Sequence, residues 1–213
     1  MVGDTVAGSD AAGSLAAEDL ARANFYGLIS RLYYAPADPN LLAEICSSGE
    51  AGEGDGGGLY AAWRGLQDAC RSAFPAIVRQ EYDNLFVGVG RAAVTPYLSG
   101  YAETLGPDRY LVRLREQLTA WGRGRREGVF EVEDHISGVS DVMRWLIQEQ
   151  RPLEQQREFF EDFVYRGAIP FCAAVHKTPL ASFYKPVTAF AASFFVLEKT
   201  AFEMVDPAQA GDT

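Results

Sequence analysis

The sequence predicts an all-α protein, a single irregular bundle of about eight helices. Three observations carry that expectation. Apolar residues recur at helical spacing, as Phe25, Leu28, Ile29 and Leu32 do at i, i+3, i+4 and i+7. Prolines stand where helices begin: Pro39 after Asp38, then Pro75, Pro107 and Pro152. No segment alternates apolar and polar residues over a useful length, so no strand is expected. There is no internal repeat, and the elements are too irregular for a simple four-helix bundle.

Taken in order, residues 1–16 are rich in Gly, Ala and Ser and read as a disordered tail. A single helical domain is expected over 17–206, with a second tail at 207–213. The first helix starts near Glu18 and stops at Tyr33-Tyr34, ahead of Pro36. Asp38 and Pro39 supply a cap and a first helical residue for LLAEICS. SSGEAGEGDGGG follows as an acidic loop. A third helix runs from about Leu59, with Ala62, Trp63, Leu66 and Cys70 on one face, and Pro75 opens AIVRQEYDNLFVG. Gly88 to Gly106 has no clear period and reads as a long irregular connection.

Pro107-Asp108 opens a helix with Tyr110, Leu111, Leu114 and Leu118 inward and Arg113 and Arg115 outward, broken by Gly122 to Gly128. The next starts near Glu133 and turns Ile136, Val139, Met143 and Leu146 inward. Pro152 opens another, with Leu153, Phe159, Phe160 and Phe163. A short piece near Pro170 precedes a last helix from Thr178 to Val205. Its stripe is Leu180, Phe183, Tyr184, Val187, Phe190, Phe194 and Leu197, with a kink expected at Pro186.

Composition narrows the function. The 213 residues are 48% apolar and 23% charged, enough for a full core in one folded unit. A formal net charge of −10 argues against nucleic acid, whose phosphates need a basic footprint. Cys46, Cys70 and Cys172 form no C-x-x-C pair and read as free thiols in a reducing compartment. The N-terminus lacks the basic and apolar regions of a signal peptide. The longest largely apolar run, Val187 to Leu197, falls short of the ~18 residues a membrane helix needs. A cytoplasmic protein with no membrane insertion is expected.

Chemistry concentrates in FEVEDHISGV, where Glu131, Glu133, Asp134 and His135 lie within five residues. Four readings are open: a metal site, a general acid/base pair, a helix N-terminus, or a binding pocket. A metal site needs three or four converging ligands, and the only other histidine, His176, is far along the chain. Acid/base catalysis needs a nucleophile or polarising group, and neither G-x-S-x-G nor H-E-x-x-H is present. At a helix start, Glu133 and Asp134 in the first turn would complement the macrodipole.

Two glycine-rich stretches are decoys. GVGRAA at Gly88 matches G-x-G-x-x-A but lacks the strand before and the helix after it. GEGDGGG lacks a P-loop lysine and carries two acids that would repel phosphate. Arg125-Arg126 lies mid-chain with no apolar stretch behind it, so it is not an export signal. Charge is uneven along the chain. Residues 130–165 hold nine acids and three arginines, whereas 109–127 hold six arginines and two glutamates. An acidic rim beside aromatic helices suits a peptide with arginine at one end and an apolar stretch after it, although solvated helix faces would show the same charges.

Two motifs together carry a resemblance. EYDNLFVGVG followed by PYLSGY (Tyr82, Leu85, Phe86, Gly88, then Pro96, Tyr97, Ser99, Tyr101) is similar to an aromatic-x-x-Leu-Phe-x-Gly-Pro segment and the Pro-aromatic-x-Ser-x-aromatic that follows it. EVEDHI, about thirty residues on, is similar to an E-P-x-D-H signature. In that order they resemble the TorD/DmsD/NarJ group of molybdoenzyme chaperones, and FFEDFVYRGAIPFCAAV and ASFYKPVTAF resemble the group's last helices. The resemblance covers about residues 18–205.

It implies an all-helical, non-enzymatic protein without a cofactor. Such a protein binds the twin-arginine signal peptide of a molybdopterin oxidoreductase precursor and holds it for cofactor insertion before export. A related alternative is a NarJ-like assembly factor for a catalytic subunit that is not exported. The resemblance places a peptide-binding pocket at Tyr82, Leu85, Phe86, Pro96, Tyr97, Glu131, Asp134 and His135. Glu131 and Asp134 would meet the cation, and Tyr82, Leu85 and Tyr97 the apolar part. Val89 and Val132 stand where the group usually has prolines. The long central connection leaves both a monomer and a domain-swapped dimer open.

Overall fold

The computed structural model describes residues 15–49, 57–88, 92–102, 106–122 and 133–204. Both expected tails beyond Leu15 and Met204, the acidic loop at 50–56, and Glu131 and Val132 lie outside the described residues. The helices are α1 (Ala17–Tyr34), α2 (Pro39–Ser47), α3 (Gly58–Ser72), α4 (Pro75–Tyr82), α5 (Pro107–Ala120), α6 (Ile136–Gln148), α7 (Leu153–Phe159), α8 (Arg166–Lys177) and α9 (Tyr184–Met204). A π-helical turn, Asp83–Val87, extends α4, and another, Phe160–Tyr165, joins α7 to α8. The described residues therefore form eight continuous helical rods. The one bridge among them, Tyr97 to His135, belongs to no strand.

Most starts follow local chemistry. The Asp38 carboxylate accepts the Leu41 N–H at 2.8 Å and Pro39 takes the first position of α2. Pro75 and Pro107 likewise open α4 and α5.

Five expectations are corrected. The helix foreseen near Glu133 starts at Ile136, because the backbone at His135 is still extended, with ψ at 138°. Pro170 does not separate two pieces but sits inside α8. It lies on the exposed face, where the carbonyl it leaves without an amide donor can meet water, while Gly167, Ala168, Phe171 and Cys172 are buried beside it. Pro186 does not kink α9 because it is the third residue of that helix, where an amide would have no helical acceptor anyway. The last helix accordingly begins at Tyr184, not Thr178, and Leu180 and Leu197 of its expected stripe are about half exposed, 51% each.

α1 packs lengthwise on α6, α9 lies between α3 and α8, and α2 covers α3. The core is aromatic. Tyr33 meets Phe171 at 5.3 Å, Phe86 meets Tyr184 at 5.1 Å, and Tyr26 meets Phe194 at 4.9 Å between ring centroids. Such edge contacts add roughly 0.5–1.5 kcal/mol each beyond the area they bury. A buried polar node fastens three helices: Arg22 of α1 grips both oxygens of Glu198 in α9, at 2.8 and 3.0 Å, and reaches Gln156 of α7 at 3.1 Å. Tyr26 donates to the same carboxylate at 3.0 Å.

Candidate functional site

The two signature segments meet through the backbone. Leu98 N–H donates to the Asp134 carbonyl at 2.9 Å, and Ile136 N–H donates to the Pro96 carbonyl at 3.0 Å. These two bonds make the antiparallel Tyr97–His135 bridge. The Asp134 side chain completes it, one carboxylate oxygen accepting the Ser99 N–H at 3.2 Å. Residues some thirty-five positions apart are thus held side by side at the N-terminus of α6.

The 3₁₀ turn Leu98–Tyr101 can lie flat on α8 because Gly167 faces it. A Cβ at Gly167 would fall 2.7 Å from the Leu98 Cβ and 2.9 Å from its carbonyl oxygen. Tyr101 donates to the Thr95 carbonyl at 3.0 Å, closing the loop on itself.

His135 is the N-cap of α6. Its Nδ1 accepts the Ser137 N–H at 3.2 Å and lies 2.7 Å from Ser137 Oγ, so a neutral ring carries its proton on Nε2. Burial lowers its pKa to about 4. It therefore stays uncharged near neutrality, and the charge switch that an ordinary histidine would supply there does not operate. A serine so close to a histidine has the look of an activated nucleophile. Ser137 is only 2% exposed, however, and the ring nitrogen it faces is already occupied by the cap.

Asp134 is 1% exposed, and its second oxygen, Oδ1, has no hydrogen-bond partner among the described residues. A buried, half-satisfied carboxylate is costly to keep. Tyr97, 37% exposed, stands edge-on to the His135 ring at 5.4 Å and is the accessible part of the site.

The remaining expected residues are buried. Leu85 is fully buried, Phe86 nearly so, and Pro96 is buried with its carbonyl in the bridge. Tyr82 donates to the carbonyls of Tyr33 and Tyr34 at 3.0 and 3.1 Å, and so caps the end of α1. The structure therefore gathers Pro96, Tyr97, Asp134 and His135 at one place, whereas Tyr82 and Phe86 belong to the aromatic core around Tyr33 and Tyr184, and Leu85 is buried with its carbonyl accepting the Val94 N–H; Glu131 lies outside the described residues.

Glu81 was not singled out from the sequence. Both its oxygens receive the N-terminal amides of α9, from Ser182 at 2.8 Å, Phe183 at 3.0 Å and Tyr184 at 2.9 Å. A glutamate preceding Tyr82 gives no local hint of amides a hundred residues away. Part of the charge imbalance is also resolved internally. Arg113 pairs with Asp162 and Arg115 with Glu133, the latter at 3.3 Å, so basic α5 neutralises some of the acidic stretch. Among the described residues no three His, Cys, Asp or Glu side chains converge as metal ligands, and no helix is long and apolar enough to cross a membrane.

Residues 53–172, which contain both signature segments, match the family described as nitrate reductase delta subunit. No curated protein matches the chain. Among solved structures, a chain from Archaeoglobus fulgidus proposed to be a redox enzyme maturation protein is similar at 19% identity and a TM-score of 0.48, over 85% of this chain and 93% of that one.

Proposed function

The chain belongs to the nitrate reductase delta subunit family, a family of NarJ/TorD-type maturation chaperones for redox enzymes, and from that premise we propose that it binds the twin-arginine signal peptide of a molybdopterin oxidoreductase precursor. It acts in the cytoplasm, without catalysing a reaction, and holds the precursor while the cofactor is inserted.

The observation that supports this reading is the spare, buried oxygen of Asp134, next in the chain to His135, against whose ring the part-exposed Tyr97 stands. A guanidinium N–H is a donor suited to that oxygen, since a charged donor on a carboxylate makes a stronger bond than a neutral one. Tyr97 supplies apolar area for the residues that follow the arginines. His135 Nε2–H is left to donate to a peptide carbonyl, its other nitrogen being tied into the cap. Pro96 holds this ledge through its carbonyl, which accepts the Ile136 N–H.

The test is titration of a synthetic twin-arginine peptide into Asp134→Asn and Tyr97→Ala. Asparagine retains an acceptor for the Ser99 amide and removes the charge. Binding of Asp134→Asn should weaken at least tenfold, equivalent to about 1.4 kcal/mol, with the melting temperature little changed. Wild-type affinity in that variant would sink the proposal.

The family description itself favours a second reading, a NarJ-like factor that assembles a catalytic subunit away from any export signal. A partner that is still bound after its N-terminal segment is deleted would select this reading over the first.

A further inference from the structure

Residues of α1, α2, α3 and α6 line a cleft of about 560 Å³, within the size range of small-ligand sites. It shares no residue with the segments that carry Tyr97, Asp134 and His135. Phe25 and Leu28 of α1, Ile45 of α2 and Trp63 of α3 supply its apolar lining. The Phe25 ring is fixed by Trp63 at 5.9 Å, Phe190 at 5.3 Å and Phe194 at 5.4 Å between centroids. Phe25 and Leu28 are nevertheless only partly buried, which leaves apolar surface for an occupant.

The polar lining centres on Arg144. Its side chain crosses α1 at Gly27, where a Cβ would fall 3.2 Å from Arg144 Cδ and 3.4 Å from Nη1. Among the described residues its one ion pair is with Asp141, at 3.5 Å and between side chains 43% and 64% exposed. So long and exposed a pair is weak, and a better acceptor displaces it. Arg31, one helical turn beyond Gly27, is engaged instead: its Nη1 donates to both oxygens of Glu44, at 2.9 and 2.8 Å. Arg144 is therefore the cation of the cleft with donors to spare, and Asn24 and Gln148 add neutral amides. The charged lining residues, Arg31, Arg144 and Glu44, sum to a single positive charge. The C-terminal ends of α2 and α6 also reach the cleft, and their carbonyl poles disfavour a polyanion.

We propose that this cleft binds a small amphipathic monocarboxylate. The guanidinium of Arg144 takes the carboxylate through its planar fork of N–H donors. Phe25, Leu28, Ile45 and Trp63 take an aromatic or branched apolar body. The site is independent of the peptide ledge, so it can be filled whether or not a precursor is held.

The experiment titrates 3-phenylpropanoate, and separately its neutral amide, into the full-length protein by calorimetry. Saturable binding of the carboxylate is expected with a Kd on the order of 1 mM or tighter, and at least tenfold weaker binding of the amide. Arg144→Gln should lose at least tenfold in carboxylate affinity with an unchanged melting temperature. Methyl resonances of Leu28 and Ile45 should shift on titration, which places the ligand without recourse to a variant. Equal affinity for acid and amide, full affinity in Arg144→Gln, or methyl shifts that spare Leu28 and Ile45 would each overturn the proposal. So would no saturation by about 10 mM, or tighter binding of tripolyphosphate at the same methyl groups.

Discussion

At the scale of single residues, His135 has the most measurable chemistry. Its folded pKa, lowered by burial to about 4, lies below the ordinary value of 6.5 that it regains on unfolding. Between those values the unfolded chain takes up a proton that the folded chain refuses. The contribution of this group to stability is therefore complete above about pH 6.5 and falls as pH drops towards 4. Between pH 7 and pH 5 the loss should be about 2 kcal/mol. Urea unfolding at the two pH values checks this against His135→Asn, which retains a capping acceptor and has no titration in the range. An equal pH dependence in both proteins would show that the loss arises elsewhere. Asp134 stands next to it with a different duty, one oxygen committed to Ser99 and the other left over. That division makes the asparagine variant a cleaner probe than alanine, which would also leave the Ser99 amide without its acceptor.

At the scale of elements, the π-helical turns explain how two amphipathic rods keep one face inward. Buried residues recur as Phe159/Phe160, Phe163/Val164, Gly167/Ala168, Phe171/Cys172 and Val175, a spacing of four. In an α-helix each step of four rotates the face by about 40°, and a wider turn returns it to the core. Val78, Tyr82 and Phe86 repeat the same spacing at the end of α4, where the other π turn occurs. The second consequence of this rod is the seat it offers at Gly167. Gly167→Ala should destabilise the protein by roughly 1–3 kcal/mol, because Leu98 cannot retreat without disturbing the bridge. The chemical-denaturation midpoint reads that loss, and an unchanged midpoint would mean that the 3₁₀ turn yields freely.

At the scale of the whole molecule, the Arg22–Glu198 node ties the first helix to the last. Burial by itself would disfavour the Arg22 charge, but the hydrogen bond and charge of Glu198 outweigh it and raise the pKa of the guanidinium overall. Glu198→Ala leaves that cation and the Tyr26 hydroxyl without their shared acceptor and should cost roughly 3–5 kcal/mol. Replacing both partners together, as Arg22→Met with Glu198→Leu, should cost far less, since no charge is then stranded. Melting curves of the single and double variants separate the two cases. A double variant as unstable as the single one would show that the pair contributes more than it costs to bury.

What the sequence determined by itself is what depends on near neighbours in the chain. Helical spacing, the Asp38 cap and the prolines before α2, α4 and α5 settle element type and most starts, because these are interactions within about four residues. The pairing of the two signature segments was legible only as order and spacing. Tertiary structure alone decided that Asp134 faces the Ser99 amide, that His135 is a neutral cap, and that Glu81 receives the amides of α9. It also decided that Pro170 lies within a helix and that Pro186 falls in the first turn of one. Burial and long-range hydrogen bonds set all of these, and they join positions whose separation along the chain leaves no local signal.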